Sequence, residues 1–273
     1  MRPSGDVAAH HFEALGTICS LFGVGVSRAE LAQGEFWVRV LGARVTRFSK
    51  RSELSLLNRS AGAWIEVSPE MEELLREALR AHELSAGLVN AAVLPSMLAI
   101  GYTRSLAEGV STATLEDARP APPLPEVLAV RPGRARLERG CGLDLGGIAK
   151  GWMADRLAAQ LGTNSLANIG GDLRATGPGP LGDGWPVGFG GVTVMLRDQG
   201  AATSSVRRRR WGGLHHLIDP RTGLPSTSEL EEVSVVAATG CDAEIVAKTA
   251  LLLGPGLATA YCAAHAQASW LSR

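Results

Sequence analysis

Two glycine pairs constrain this chain more than any other feature of its sequence. Gly146-Gly147 follows an apolar run ending at Leu145 and precedes a segment of helical character, and Gly170-Gly171 follows the short apolar run 165–169. A glycine pair after a strand marks a tight turn or a place where backbone approaches a ligand, because glycine has no Cβ and reaches positive φ freely. The pairs belong to a wider surplus of 33 glycines and 14 prolines in 273 residues, with no repeat or low-complexity run to absorb them. Hydrophobic residues at 45 % and charged residues at 20 % read as a folded chain rather than a disordered one. A chain of this length buries roughly three quarters of its unfolded surface without needing staples.

Charge narrows the function classes. Twenty-seven basic residues balance 27 acidic ones, which excludes a general electrostatic footprint for nucleic acid or an anionic membrane surface. No apolar run is long enough to span a bilayer. Residues 1–17 lack a basic stretch followed by an apolar one, so no signal peptide is read and the chain is expected to be cytoplasmic. Cys19, Cys141, Cys241 and Cys262 have no C-x-x-C spacing, which argues against a zinc ribbon or redox dithiol and for small buried hydrophobes.

Along the chain, 12–26 suits an opening strand or hairpin, and 31–48 places Trp37, Val40, Leu41 and Val45 at helical spacing. The clearest helix follows Ser68: a capping serine, a first-turn Pro69, acidic Glu70, Glu72 and Glu73, then Met71, Leu74, Leu75, Ala78 and Leu79 on one stripe, ended by Gly87. The proline-rich passage 119–133 divides the chain into sub-lobes of about 1–118 and 134–273 within one domain. Beyond it, strands are expected over 135–145, 165–169, near Val187 and Val192, and over 232–238. Helices are expected over 148–161 and 244–253. Strands and helices mix without a βαβ period, so the fold class is α+β.

Four segments carry candidate chemistry. Residues 144–155 run from strand through Gly146-Gly147 into a helix with Lys150 in its first turn, a natural phosphate seat. It fits neither the Walker nor the G-x-G-x-x-G spacing, and the plain alternative is a tight turn with a solvated lysine. Residues 215–223 bring His216, Asp219 and Arg221 together, as a base with a phosphate-holding arginine or as simple turn chemistry in which Asp219 bonds its own backbone. The loops 168–172 and 48–58 are binding loops or bends. Arg207 to Arg210, followed by Trp211, could grip a polyanion, but four charges in a neutral chain read more often as a solvated turn. The G-x-S-x-G elbow of a serine hydrolase is missing.

In order, these segments resemble the ApbE family, the FAD:protein FMN transferases. The resemblance runs from about residue 12 to 265: F-E-A-L-G-T at 12–17, F-S-K-R-S-E-L-S-L-L-N at 48–58, G-L-V-N at 87–90 with V-L-P at 93–95 and Gly101-Tyr102, then D-L-G-G-I-A-K-G, N-I-G-G-D, Gly184-Trp185, A-T-S, and H-L-I-D-P-R-T-G at 216–223. It implies a two-lobed, T-fold-like α+β architecture with mixed sheets, flanking helices and a cleft between lobes. It also implies that FAD is bound, that a threonine hydroxyl of a target protein attacks the FMN-side phosphate, and that AMP leaves.

By the same resemblance, Leu15, Phe48, Leu88, Val89 and Asn90 contact the flavin nucleotide, Asp144 and Lys150 hold its ribose-phosphate portion, Leu217 lies against it, and His216 is the general base. A magnesium ion is implied at the backbone of Gly147 and at Glu244. Here the sequence departs from the pattern, since Lys248 stands where relatives have a ligating threonine, and Asp242 lies two residues too early to serve. Lys248 is expected to replace or weaken the ion, pairing with Glu244 or reaching the pyrophosphate. The plain alternative is a surface i,i+4 pair worth about 0.3–0.5 kcal/mol. Asn90 replaces a usual aspartate, Ser205 a common glycine, and the chain stops soon after its last helix, where relatives continue into a final strand. Two other activities stay open: an FAD pyrophosphatase releasing FMN and AMP, and a non-catalytic FAD-binding relative.

Overall fold

Ala14 and Thr17 pair across the two-residue turn Leu15-Gly16, whose φ angles are 55° and 68°. Positive φ at both central residues matches the right-handed twist of the flanking strands, so β1 (Val7–Ala14) and β2 (Thr17–Val24) form a tight hairpin. Leucine is an unusual residue for this conformation. The computed structural model describes residues 6–189 and 191–273; residues 1–5, at the start of the expected first sub-lobe, lie outside the described residues.

The hairpin begins a seven-stranded sheet that continues with β3 (Ser165–Ile169), β4 (Asp172–Thr176), β5 (Gly200–Ser205), β6 (Glu232–Ala237) and β7 (Ala268–Ser272). Every pairing is antiparallel, and the spatial order follows the chain order. The turn between β3 and β4 is Gly170-Gly171, at φ 68° and 102°. It lies beside the Leu15-Gly16 turn: a Cβ at residue 170 would collide with the side chain of Thr17.

Side-chain alternation gives the sheet two buried faces. On one, Ala202, Val233, Val235 and Ala237 join the core with helix residues. On the other, Leu166, Leu173, Ala175, Ala201 and Val236 pack against Trp185, Phe189 and Leu196 of the paired strands Trp185–Phe189 and Val192–Leu196.

The helices lie on the first face. Ser27 opens α1 (Arg28–Val45) with a capping box closed by Glu30. Ser68 caps α2 (Pro69–Leu84) through Met71 N–H, and its buried stripe is Met71, Leu74, Leu75, Ala78 and Ala81. Then come α3 (Ala149–Leu161), α4 (Gly240–Leu253), capped by Thr239, and α5 (Pro255–His265). Asp155 of α3 accepts the N–H groups of Gly240 (2.7 Å) and Cys241 (2.9 Å), locking the start of α4 to α3. Gly200 touches the same point, where a Cβ would overlap the backbone of Thr239 and Gly240.

Between α1 and α3 the chain inserts α2, short helical turns and a three-stranded sheet of Ile65–Glu66, Arg134–Leu137 and Leu128–Arg131. The proline-rich passage carries the turn Leu124–Val127, whose Leu124 is fully buried in the same core as Leu31 and Leu157. The expected strand over 135–145 covers only Arg134–Leu137, because Gly140 at φ 84° turns the chain away. A final strand is present: β7 pairs with β6 from Val236–Ala268 to Glu232–Ser272. Five residues of weak pattern carry little strand signal, and their place is set by the open edge of β6. The helix read from Glu244 starts four residues earlier, at Gly240. Cys19, Cys241 and Cys262 are buried, Cys141 is half-buried, and all are free thiols. Among the described residues, no helix is long and apolar enough to cross a membrane.

Candidate functional site

The loop between Leu143 and α3 is fixed by its own aspartate. Asp144 accepts the N–H of Gly146 on Oδ1 (2.8 Å) and Arg47 Nε on Oδ2 (2.6 Å), so both carboxylate oxygens serve to hold the loop. The two glycine pairs have different causes. Gly170-Gly171 supplies positive φ, whereas Gly146-Gly147 supplies space: a Cβ at Gly147 would overlap the ammonium of Lys248.

That ammonium donates to the carbonyl of Gly147 at 2.9 Å. Its neighbour one turn earlier on α4, Glu244, is turned elsewhere: Oε1 lies 3.1 Å from Lys150 Nζ and Oε2 accepts the N–H of Gly151 at 2.9 Å. Lys150 also pairs with Asp172, at the start of β4. The side chains of Glu244 and Asp172 are 4 % and 3 % exposed, so these ion pairs form inside the protein. Burial pushes the Lys150 ammonium down, and Glu244 pulls it back up. Burial likewise pushes Lys248 down, against Glu244 and Asp144. The surface Glu–Lys pair is therefore ruled out. Glu244 is buried and bonds Lys150, while Lys248 crosses to the glycine loop. Asp242 faces away and pairs with Arg80 at 2.7 Å.

His215 orients the next segment. It is buried, its Nε2 bonds the carbonyl of Ser226 (3.0 Å), and its Nδ1 accepts the N–H of Leu217 (3.3 Å), which fits one neutral tautomer. The adjacent His216 then lines the cleft, with a buried Nδ1 that has no partner among the described residues. Burial, reinforced by Arg209, Lys248 and Lys150, holds His216 well below the ordinary histidine range, so it is neutral at physiological pH. The anticipated His216–Asp219–Arg221 cluster does not form. Asp219 accepts its own turn's N–H from Arg221 (2.9 Å) and pairs with that exposed guanidinium, which reaches the carbonyl of Leu252. Turn chemistry prevails there.

Opposite lies an apolar and aromatic wall. The Arg47 guanidinium, 5 % exposed, stacks on Phe48 (4.3 Å) and Tyr102 (4.5 Å), and its buried Nη2 has no partner. Leu15 reaches the same cleft from its left-handed turn, packing into the space that Gly42 leaves on α1. Leu88, Val89 and Leu217 are buried in the wall. Asn90 is committed structurally: its Oδ1 caps Ala92 N–H (2.9 Å) and its Nδ2 donates to the carbonyl of Pro122 (2.9 Å).

Every residue that the family resemblance assigns to the site, from Leu15 to Lys248, lines one cleft of about 1170 Å³. Residues from both sides of the proline-rich passage form it. Six basic side chains (Arg39, Arg47, Lys150, Arg208, Arg209 and Lys248) face it against the acidic Asp144, Asp172, Glu232 and Glu244. From sequence alone, Arg47 had no functional role, Asp172 only closed a loop of open purpose, and Arg208 and Arg209 belonged to a run read first as a solvated turn. The arginine run is thus more than a solvated turn, with two of its members on the cleft and Arg207 paired with Glu231. The N-I-G-G-D segment pointed to Asp172, but nothing in the sequence placed it beside Lys150.

A divalent ion does not suit this arrangement. Magnesium takes oxygen donors at about 2.0–2.1 Å in an octahedron. The Gly147 carbonyl instead holds an ammonium, and both oxygens of Glu244 are engaged by Lys150 and Gly151.

The ApbE family model matches residues 15–270. An FAD:protein FMN transferase of Klebsiella pneumoniae is 35 % identical over 43 % of this chain and 40 % of its own length. One of Treponema pallidum is 31 % identical over 74 % of this chain and 65 % of its own length, so the chain spans less than two thirds of either relative. The crystal structure of the ApbE protein of Thermotoga maritima superposes with a TM-score of 0.84, covering 97 % of this chain and 94 % of that one at 22 % identity. With the match running through the glycine loops, the histidine segment and α4 alike, the chain belongs to the ApbE family.

Proposed function

We propose that this protein is an FAD:protein FMN transferase, which moves FMN from FAD to a threonine hydroxyl of a target protein and releases AMP. The observation that carries the reading is the convergence on one cleft of an aromatic wall, a set of cations and a neutral histidine. A volume of about 1170 Å³ exceeds the roughly 300–1,000 Å³ of ordinary ligand pockets and suits a dinucleotide. The named activity of the Klebsiella and Treponema relatives agrees with it.

In this reading the flavin lies against Phe48, Tyr102 and Leu15, and the unpartnered Arg47 Nη2 meets an acceptor on the nucleotide. The pyrophosphate faces Lys248, Arg208, Arg209 and the α3 N-terminus, where cations and backbone N–H groups offset its charge. The threonine Oγ attacks the FMN-side phosphorus, its proton passes to the neutral imidazole of His216, and the bond from that phosphorus to the bridging oxygen breaks, so that AMP departs with the bridging oxygen. Burial is the main cause of the low basicity of His216, and the bound pyrophosphate offsets the added effect of the cations, which restores part of that basicity when a proton must be taken. Lys150, committed to Asp172 and Glu244, positions α3 and α4 rather than the ligand.

Incubation of the protein with FAD, with and without a threonine-containing acceptor, tests this directly by following AMP, free FMN and protein-bound flavin. Flavin bound covalently to the acceptor supports transfer. AMP with free FMN assigns the protein as a pyrophosphatase, and unchanged bound FAD as a binding module.

A further inference from the structure

We infer that Lys248 is the resident cation of the cleft, so that this protein binds the pyrophosphate of FAD without a divalent metal ion. The inference rests on the FAD reading above and adds the means by which the phosphates are neutralised. Three observations converge. The Lys248 Nζ sits on the Gly147 carbonyl at 2.9 Å, at the mouth of the glycine loop that opens α3. The ammonium also lies where a Cβ on residue 147 would stand, so in this conformation lysine and glycine are in direct contact. Glu244, one turn earlier on the same helix, makes its hydrogen bonds to Lys150 and the Gly151 N–H, so it acts on Lys248 only through its field and leaves that ammonium's remaining donors unengaged.

An ammonium carries three donors, and the Gly147 carbonyl takes one. The other two are free to meet phosphate oxygens, beside Arg208 and Arg209 on the same cleft. A divalent ion at this carbonyl would stand within contact distance of the ammonium, and the repulsion between like charges would exclude it.

The test uses the full chain. FAD affinity is measured by flavin fluorescence in EDTA and again in excess magnesium, and manganese binding is followed by electron paramagnetic resonance. The wild-type protein should bind FAD equally, within about twofold, in both buffers and show no stoichiometric manganese site. Lys248→Met should weaken binding at least about tenfold in EDTA, equivalent to about 1.4 kcal/mol. Lys248→Arg should retain most of the affinity. Lys248→Thr, which puts an oxygen donor beside the Gly147 carbonyl and Glu244, should gain magnesium dependence. Tenfold tighter binding of FAD to the wild type in magnesium than in EDTA, or a stoichiometric manganese site, would overturn the inference while leaving the FAD reading intact. Unchanged affinity of Lys248→Met in EDTA would overturn it as well. Failure of the wild type to bind FAD in either buffer would remove the FAD reading itself, and this inference with it.

Discussion

Glu244→Gln isolates the charge at the centre of the site while preserving shape. The Lys150–Glu244 pair is separated by 3.1 Å. At an effective dielectric of about 20, two unit charges at that distance attract by about 5 kcal/mol, before desolvation is subtracted. Removing one partner of a buried pair costs about 3–5 kcal/mol because the other is left uncompensated. The low end applies here, since Asp172 still neutralises Lys150 and a glutamine oxygen can still accept the Gly151 N–H. We expect a loss of about 3 kcal/mol, which at roughly 2–4 °C per kcal/mol for a chain of this size lowers the melting temperature by about 6–12 °C.

Lys150→Met alone leaves two buried carboxylates facing each other and should cost more. The double variant should be less destabilised than the sum of the singles by at least about 2 kcal/mol, because Glu244→Gln removes one of the two buried carboxylates that Lys150→Met leaves without their cation. Thermal unfolding followed by circular dichroism at neutral pH measures all three. A Glu244→Gln protein melting within about 2 °C of the wild type, or strict additivity in the cycle, would contradict this account and reduce the pair to surface value.

Three further tests address separate parts of the molecule. Gly200→Ala drives a Cβ into the Thr239 and Gly240 backbone, which cannot move aside without breaking the start of α4; urea unfolding should show a loss above about 4 kcal/mol or no soluble protein, whereas Gly188→Ala, with open space around it, should change stability by less than about 1 kcal/mol. Burial pushes the Asp155 carboxyl up to about 6, against the Cys241 and Gly240 N–H groups that lower it. The folded state therefore holds this proton more tightly than the unfolded chain, and the associated stability is present below about pH 4 and lost as pH rises through about 6. Relative to Asp155→Asn, the wild type should lose about 3 kcal/mol across that window in urea titrations at stepped pH. His216→Ala should slow FMN transfer about 10²–10⁴-fold with FAD affinity little changed. Because burial and Arg209 hold the wild-type ring neutral in the free enzyme, kcat/KM for transfer should show no protonation step near the ordinary histidine value.

Local rules made parts of the structure legible in the sequence. Ser68 and Pro69 started α2, Gly162 ended α3 at φ 99°, and the β3 strand followed from five residues bounded by turns. Legibility failed where a long-range neighbour decides. Strand β7 exists because β6 offers a free edge, and Arg208 and Arg209 face the cleft because the loop between β5 and β6 folds back over it. Arg47 and Asp144, 97 positions apart, meet only through the packing of α1 against the glycine loop.

Fold class, family resemblance and most of the cleft-lining residues could be read without coordinates, because each depends on residue types in order along the chain. What those residues do to one another emerged only once the chain was folded. The two glycine pairs look alike in sequence, yet one turns the chain by positive φ and the other makes room for an ammonium. Glu244 and Lys248 stand one helical turn apart and suggest a mutual pair, yet they separate. Burial makes partners scarce, and each finds its hydrogen bond about a hundred positions away: Glu244 with Lys150, and Lys248 with the Gly147 carbonyl.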